Sequence, residues 1–203
     1  MEIKEYSDAL QGIGFVIGGT IMATYPSIKK WVYNKKLSSG FNKNLEARSE
    51  INKILDEIRI KLGATRVNIM DYHNGKESIL GVPFNYVSMF SESCNRFTKP
   101  IISEIQQQPI APIIPILLKL IKSPSGVIFT TDQDKEEQIA IIQQSYGCKS
   151  SYTFLLKENI ASGTLIISYA ETRNPMINPS TIQWIKSQII IINNLRHKIK
   201  KTK

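Results

Sequence analysis

The chain has 203 residues, of which 42% are hydrophobic and 21% charged, and these proportions exclude wholesale disorder. Two cysteines are too few for a disulfide scaffold or a four-cysteine zinc site. The 26 Lys and Arg against 17 Asp and Glu give a net charge of +9, which is typical of proteins that meet nucleic acid or an anionic membrane.

The whole excess of positive charge lies in two short clusters. The first cluster contains four lysines, Lys29, Lys30, Lys35 and Lys36. The second contains five basic residues near the C-terminus, Arg196, Lys198, Lys200, Lys201 and Lys203. The remaining 17 basic residues balance the 17 acidic ones, so the rest of the chain is neutral. Since no aromatic residues interleave with basic ones in this neutral part, a nucleic-acid partner is not expected.

Residues 1–8 form a short acidic N-terminus, and residues 9–28 carry no charge. Eleven of the latter twenty residues are apolar and four are glycine. Twenty helical residues span about 30 Å, roughly the hydrocarbon thickness of a bilayer, so we predict one transmembrane helix at 9–28. The alternative is a glycine-rich helix that is buried in protein or packs as an arm on a partner. The small residues Gly14, Gly18, Gly19 and Ala23 favour close helix association, which predicts a homo-oligomer.

Residues 29–42 form a basic linker directly after this predicted helix. Four lysines follow the helix and one precedes it, so the positive-inside rule places the soluble domain on the cytoplasmic side. The two cysteines, Cys94 and Cys148, would then be reduced free thiols. We predict that Trp31 and both basic clusters, including the basic tail at 198–203, contact the membrane surface.

The domain after the linker begins with an amphipathic helix. Apolar residues recur at three- and four-residue spacing from Leu45 to Leu62, and Gly63 ends the helix. Alternation of apolar and polar residues predicts strands at 64–72 and 84–90. Five prolines then fall within 25 residues, which indicates short turns in place of long helices. The apolar run from Ile110 to Ile121 is either the cover of a sheet or an exposed lid over a ligand pocket, a partner or a membrane.

The second half of the domain predicts a strand at 126–131 and a helix at 132–146 ending at Gly147. A hairpin of strands follows, at 151–156 and 163–169. Asn178 then caps a C-terminal helix that has Pro179 at its first position. The predicted fold class is α+β: one antiparallel sheet with the N- and C-terminal helices packed on one face, preceded by one transmembrane helix.

This order resembles a GAF domain over residues 43–197. The resemblance is carried by the entry helix, by the strand ending in Asp71-Tyr72-His73-Asn74-Gly75, and by the late hairpin before the terminal helix. It implies small-molecule binding or dimerisation and not catalysis.

The whole-chain plan also resembles the T-type holins of T-even-like phages, which carry one membrane span near the N-terminus and a soluble domain of GAF-like order. The segment Glu158-Asn159-Ile160-Ala161-Ser162-Gly163-Thr164 is similar to the closing region of that family. Those holins place the domain outside the inner membrane, whereas the lysines here favour the inside.

The residues that bear chemistry point to binding. No nucleophile elbow, phosphate-binding loop, dinucleotide fingerprint or metal-binding motif occurs, so we predict no catalytic residues, no metal and no cofactor. The cluster around His73 is more typical of a turn than of an active site. We predict that a ligand pocket, if present, is lined by Tyr72, His73, Asn74, Phe84, Tyr86 and Phe129.

The leading functional hypothesis is a non-enzymatic, holin-like membrane protein with a GAF-like domain that controls helix assembly by binding a regulatory protein or small ligand. The second is a membrane-tethered GAF-type ligand sensor or scaffold. The third is a structural protein of a larger particle, in which the N-terminal helix is an assembly arm.

Overall fold

The computed structural model describes residues 41–74, 85–131, 144–157, 163–171 and 177–200. The predicted transmembrane helix at 9–28, most of the basic linker and the tail residues 201–203 lie outside the described residues. So do the predicted contact residues Gly14, Gly18, Gly19, Ala23, Lys29, Lys30, Trp31, Lys35, Lys36, Phe84, Lys201 and Lys203, and the side chain of Lys200. Among the helices that are described, none combines the length and the apolar character needed to cross a bilayer.

The first three strands form one half of a single sheet and the last three strands form the other half. Helix α1 covers residues 41–62 and precedes β1 (Arg66–His73), β2 (Tyr86–Cys94) and β3 (Gln108–Pro109). A 3-10 turn (Ala111–Ile113) runs into α2 (Ile114–Lys122), which is followed by β4 (Val127–Thr131), β5 (Ser150–Leu155), β6 (Thr164–Tyr169) and α3 (Pro179–Lys200). The strand order is β3-β2-β1-β6-β5-β4, with every neighbouring pair antiparallel.

The main core lies between the sheet and the helices α1 and α3. The residues that meet there are fully buried and come from both helices and the sheet: Ile51, Leu55 and Ile58 of α1, Ile185 and Ile192 of α3, and Val67, Ile69, Leu165 and Ile167 of the sheet. Burying a side chain of this size contributes about 1.5–3 kcal/mol. The prediction that the first and last helices pack on one face of an antiparallel sheet is therefore confirmed.

The ends of both long helices follow from local sequence. Gly63 adopts a φ of 59° directly after α1, a left-handed conformation that glycine reaches without strain. At the start of α3, the Oδ1 of Asn178 accepts a hydrogen bond from the Thr181 backbone N–H at 2.8 Å. The helices extend beyond the predicted domain limits of 43 and 197, because α1 is already helical at residue 41 and α3 continues to Lys200.

Strand β2 is longer than predicted because it contains a bulge. The pairing with β1 shifts between Ile69 and Met70, so that Phe90 is an extra residue. Before the bulge, Val87 and Met89 face away from the long helices. After it, Ser91 faces α1 and donates a hydrogen bond to Asn52. The predicted strand stopped at Phe90 because the two-residue alternation breaks at that position.

The proline-rich segment contains a regular helix, where the sequence indicated only short turns. Pro112 and Pro115 lie in the first positions of the 3-10 turn and of α2, where a missing N–H costs no helical hydrogen bond. The rest of α2 contains no proline, so its nine residues continue undisturbed to Lys122.

Arg196 does not belong to an exposed basic surface as predicted. It is 7% exposed, its guanidinium pairs with the carboxylate of Asp71, and it stacks on the ring of Phe90 with 5.5 Å to the centroid. The position follows Ile192 by four residues, so Arg196 lies on the buried face of α3. Lys198, on the other face, is exposed.

Candidate ligand-binding site

A cavity of about 320 Å³ lies on the sheet face opposite α1 and α3. Its floor includes six buried polar side chains from four adjacent strands: Arg66, Asn68, Thr130, Ser151, Thr153 and Ser168. Buried polar side chains are uncommon unless they are paired, so a floor of six in one place calls for a physical explanation.

The alternation of the strands produces this polar floor. Along β1, Val67 and Ile69 point to the helices, whereas Arg66 and Asn68 point into the cavity. Along β5, Phe154 packs in the main core while Thr153 lines the cavity. The sheet therefore has an apolar face under the long helices and a polar face under the cavity.

The cover of the cavity is apolar and comes from the segment after β2. It includes Ile101, Ile105, Pro112, Ile113, Ile116 and Leu117. The apolar run from Ile110 to Ile121 thus covers the sheet, as one of the two sequence interpretations stated, and it is also the lid of a cavity. Its outer face remains apolar, with Ile114, Leu118 and Ile121 between 44% and 52% exposed.

Arg66 is held at the edge of the floor by a buried ion pair. Its Nε lies 2.8 Å from Glu92 Oε1, in an orientation that does not align the N–H with the oxygen, and the two side chains are 5% and 3% exposed. The two terminal nitrogens donate to the carbonyl oxygens of Lys99 and Tyr146 at 2.9 and 3.3 Å. Arg66 thereby ties β1 to two loops that border the cavity.

Asn68 lies in the middle of the floor and is 3% exposed. Its Oδ1 is buried and accepts no hydrogen bond from any described residue. A buried acceptor without a hydrogen bond lowers the stability of the folded state by about 1–3 kcal/mol. Such a group is rare in folded proteins and marks a position where a further molecule can donate.

Two acidic groups of the cavity lining, the Tyr72 phenol and the Cys148 thiol, are held in their neutral forms. Burial raises the pKa of Tyr72 to about 12, and its hydroxyl lies 2.9 Å from the Thr164 hydroxyl. Burial also raises the pKa of the Cys148 thiol, which donates to the carbonyl oxygen of Ser150. Both groups therefore stay uncharged at neutral pH.

The raised pKa of Tyr72 predicts an alkaline loss of stability. The unfolded chain loses the phenolic proton near pH 10 and the folded chain near pH 12. The protonated Tyr72 therefore contributes its full share to the free energy of unfolding below about pH 10, and this share disappears as the pH rises to about 12. The two-unit difference corresponds to about 2–3 kcal/mol. Urea unfolding at about pH 10 and at about pH 12 gives the drop in the free energy of unfolding between the two pH values. This drop should be smaller for Tyr72→Phe than for the wild type by about 2–3 kcal/mol. Equal losses would show that Tyr72 titrates normally.

Phe84 lies outside the described residues, and the structure separates the other five residues that were predicted to line a pocket. Tyr72 lines the cavity. His73 and Tyr86 lie at the β1–β2 edge, where His73 Nε2 is 2.8 Å from Ser88 Oγ and the two rings are 6.3 Å apart. Asn74 is half-buried directly after β1. Phe129 is on the other face of the sheet, 4.7 Å from the Tyr152 ring, because strand alternation points it towards the helices.

The sequence interpretation missed the polar floor. Alternation along β1 places Arg66 and Asn68 on the face opposite Val67 and Ile69, and a polar face of this kind is normally solvated. The apolar run from Ile110 to Ile121 was the feature of the sequence that could have indicated the buried floor, because such a run is buried against another element and would cover one face of the sheet. Within the described ranges, no three His, Cys, Asp or Glu side chains gather in a way that could hold a metal.

Comparison with known proteins gives matches only at the level of structure. No family model and no curated protein matches the sequence. The blue-light absorbing form of the Thermosynechococcus elongatus PixJ GAF domain is 11% identical, with 76% of this chain and 89% of that chain covered and a TM-score of 0.55.

Two further GAF domains are similar to a comparable extent. The phycocyanobilin-bound GAF domain of a cyanobacterial phytochrome is 18% identical, with 80% of this chain and 94% of that chain covered and a TM-score of 0.56. The GAF domain region of a Geobacter sulfurreducens protein is 14% identical, with 77% and 97% covered and a TM-score of 0.53. The antiparallel sheet, the paired terminal helices and these similarities together show that the chain contains a domain with the GAF fold.

Proposed function

We propose that the chain is a GAF-type sensor whose domain binds a small molecule in the cavity between the sheet and α2. The observation that carries this proposal is the buried floor around Asn68, whose Oδ1 has no donor among the described residues. One of the similar GAF domains reported above is bound to phycocyanobilin, so this fold accommodates a small molecule in that protein.

The proposed role is binding without catalysis. A nucleophile or general base needs a pKa near the working pH, but burial moves the pKa values of Tyr72 and Cys148 upward, away from neutrality. Arg66 is engaged with Glu92 and two backbone carbonyls. All three groups have partners within the protein, which suits a binding cavity better than a reaction centre.

A cavity-filling variant tests the proposal. Ile166 lines the cavity from β6 and is partly buried, so Ile166→Trp should place an indole in the space that the ligand needs. The neutral fluorophore 1-aminoanthracene brightens in apolar cavities and serves as the probe. We expect the full-length wild type to bind it and Ile166→Trp to bind it about tenfold more weakly.

The matched control is Ile190→Trp, which makes the same change at a residue of α3 that is 62% exposed. This variant should bind the probe as the wild type does. Thermal unfolding of both variants separates loss of the cavity from loss of the fold. Equal binding by all three proteins would contradict the proposed site.

We further propose that the sensor is tethered to a membrane by residues 9–28, with the domain on the cytoplasmic side. The support is the uncharged 20-residue segment followed by four lysines. After expression, the full-length protein should stay in the membrane fraction through a carbonate wash. A thiol-reactive reagent that cannot cross membranes should label an engineered cysteine near residue 203 only after lysis. Recovery in the wash, or labelling of intact cells, would contradict this arrangement.

None of the similar structures reported above is described as a holin, so the holin-like hypothesis stays a prediction from the sequence, as does the homo-oligomer. The proposal contains no lytic role. Continued growth of a culture that accumulates the protein would agree with a sensor, whereas loss of membrane energisation would favour the holin-like alternative.

A further inference from the structure

We infer that the ligand of this cavity is an uncharged, mainly apolar molecule that donates a hydrogen bond to the Oδ1 of Asn68. This inference rests on the proposed function, since it assigns a ligand class to the same cavity. It depends on three features of the site. The Oδ1 of Asn68 accepts no hydrogen bond from a described residue, the guanidinium of Arg66 is already paired with a carboxylate, and the cover of the cavity is apolar.

The first feature is the unpaired acceptor. Asn68 is 3% exposed and its Oδ1 has no partner among the described residues. A carbonyl oxygen can only accept, so the complementary group is an N–H or O–H of the ligand. The position is precise, because Asn68 lies on a central strand paired with both β2 and β6.

The second feature is the neutralised cation. Arg66 would be the natural partner of an anionic ligand, but its Nε is 2.8 Å from Glu92, and its other nitrogens donate to backbone carbonyls. The Glu92 carboxylate in turn accepts from the backbone N–H groups of Ile101 and Ile102, each at 3.0 Å. An anion entering the cavity would lose its hydration without gaining a free positive partner from the described lining.

The third feature is the shape and polarity of the space. A volume of about 320 Å³ is at the small end of the range for ligand pockets. Ile113, Ile116 and Leu117 cover it from above, and burial keeps Tyr72 and Cys148 neutral below. A compact ring system with one donor fits both the cover and the floor.

Three related bicyclic probes test this assignment on the full-length protein by calorimetry, the first two of equal size and the third larger by a carboxylate group. Indole is neutral and has one N–H donor, benzofuran has the same shape with an oxygen in place of that N–H, and indole-3-carboxylate is the anionic relative. We expect indole to bind about 3- to 10-fold more tightly than benzofuran, which is the range expected for one net hydrogen bond. The carboxylate should bind most weakly.

The variant Asn68→Leu removes the acceptor with little change in volume. It should bind indole and benzofuran equally, and its melting temperature should be equal to or above that of the wild type, because an unpaired buried group has been removed. Asn52→Leu is the matched control, since Asn52 accepts a hydrogen bond from Ser91 on the opposite face of the sheet. It should lower the melting temperature and keep the preference for indole.

The outcomes separate this inference from the proposed function. Tighter binding of the carboxylate, equal binding of indole and benzofuran by the wild type, or a preference for indole that survives in Asn68→Leu would each overturn the ligand class while leaving the site in place. Failure of all three probes, with 1-aminoanthracene still bound in an Ile166-dependent way, would also overturn it. Failure of 1-aminoanthracene as well would overturn the proposed function.

Discussion

Replacement of Gly163 by alanine is expected to destabilise the domain by about 3 kcal/mol or more, because strain and a backbone clash act together. Gly163 directly precedes β6 and has a φ of 95°, a conformation that side chains rarely adopt. A Cβ at this position would lie 2.3 Å from the backbone oxygen of Met70 and 3.2 Å from Asp71 Oδ1. Met70 cannot move away easily, since it pairs with Thr164 on one side and Met89 on the other.

Urea unfolding of the full-length protein measures this effect, and Gly126→Ala is its matched control. Gly126 also has a positive φ, of 65°, but a Cβ there would meet nothing within 4 Å. Only the conformational strain applies, so we expect a loss of about 1–2 kcal/mol. Similar losses for the two variants would show that β1 accommodates the added methyl group.

The second large effect is expected at the buried pair under the cavity. Arg66→Met should lower the free energy of unfolding by about 3–5 kcal/mol, because it leaves the buried Glu92 carboxylate without its cation. It also removes the donors to the carbonyl oxygens of Lys99 and Tyr146. The exposed pair of Lys99 and Glu104 is the control: its atoms are 2.7 Å apart, yet Lys99→Met should change stability very little.

A double-mutant cycle identifies the ion pair as the cause. In a protein that already carries Glu92→Gln, Arg66→Met should cost clearly less than in the wild type, since no unpaired carboxylate remains. Equal costs in the two backgrounds would mean that Arg66 stabilises the loops through its carbonyl contacts alone. Equilibrium unfolding of the four proteins, monitored by near-ultraviolet circular dichroism, provides the comparison.

Much of the fold could be predicted from residues close together in the chain. Asn178 with Pro179 marks the start of α3, and Gly63 marks the end of α1, because caps depend on neighbours within one turn. The alternation around Val67 and Ile69 identifies β1 and its core-facing side. The bulge at Phe90 was not predicted, since an extra residue in one strand is recognised only when the partner strand is present.

The candidate site was predicted only in small part. Tyr72 lies in the cavity, but Phe129 faces the opposite way, although both are aromatic residues on strands. Aromatic character does not decide which face of a sheet a residue occupies; the register of each strand does. Arg196 was misplaced for a related reason, because its partner Asp71 is 125 residues away in the chain.

The sequence by itself determined the positions of the two long helices, the caps at Gly63 and Asn178 and the apolar side of β1, because these depend on short-range periodicity and capping. Only the tertiary structure decided that the polar side of the sheet is buried. A strand such as β5 shows the same alternation whether its Ser151 and Thr153 meet water or a covered cavity. The difference lies in the α2 segment, which reaches over the sheet from elsewhere in the chain and turns an ordinary polar face into a site around Asn68.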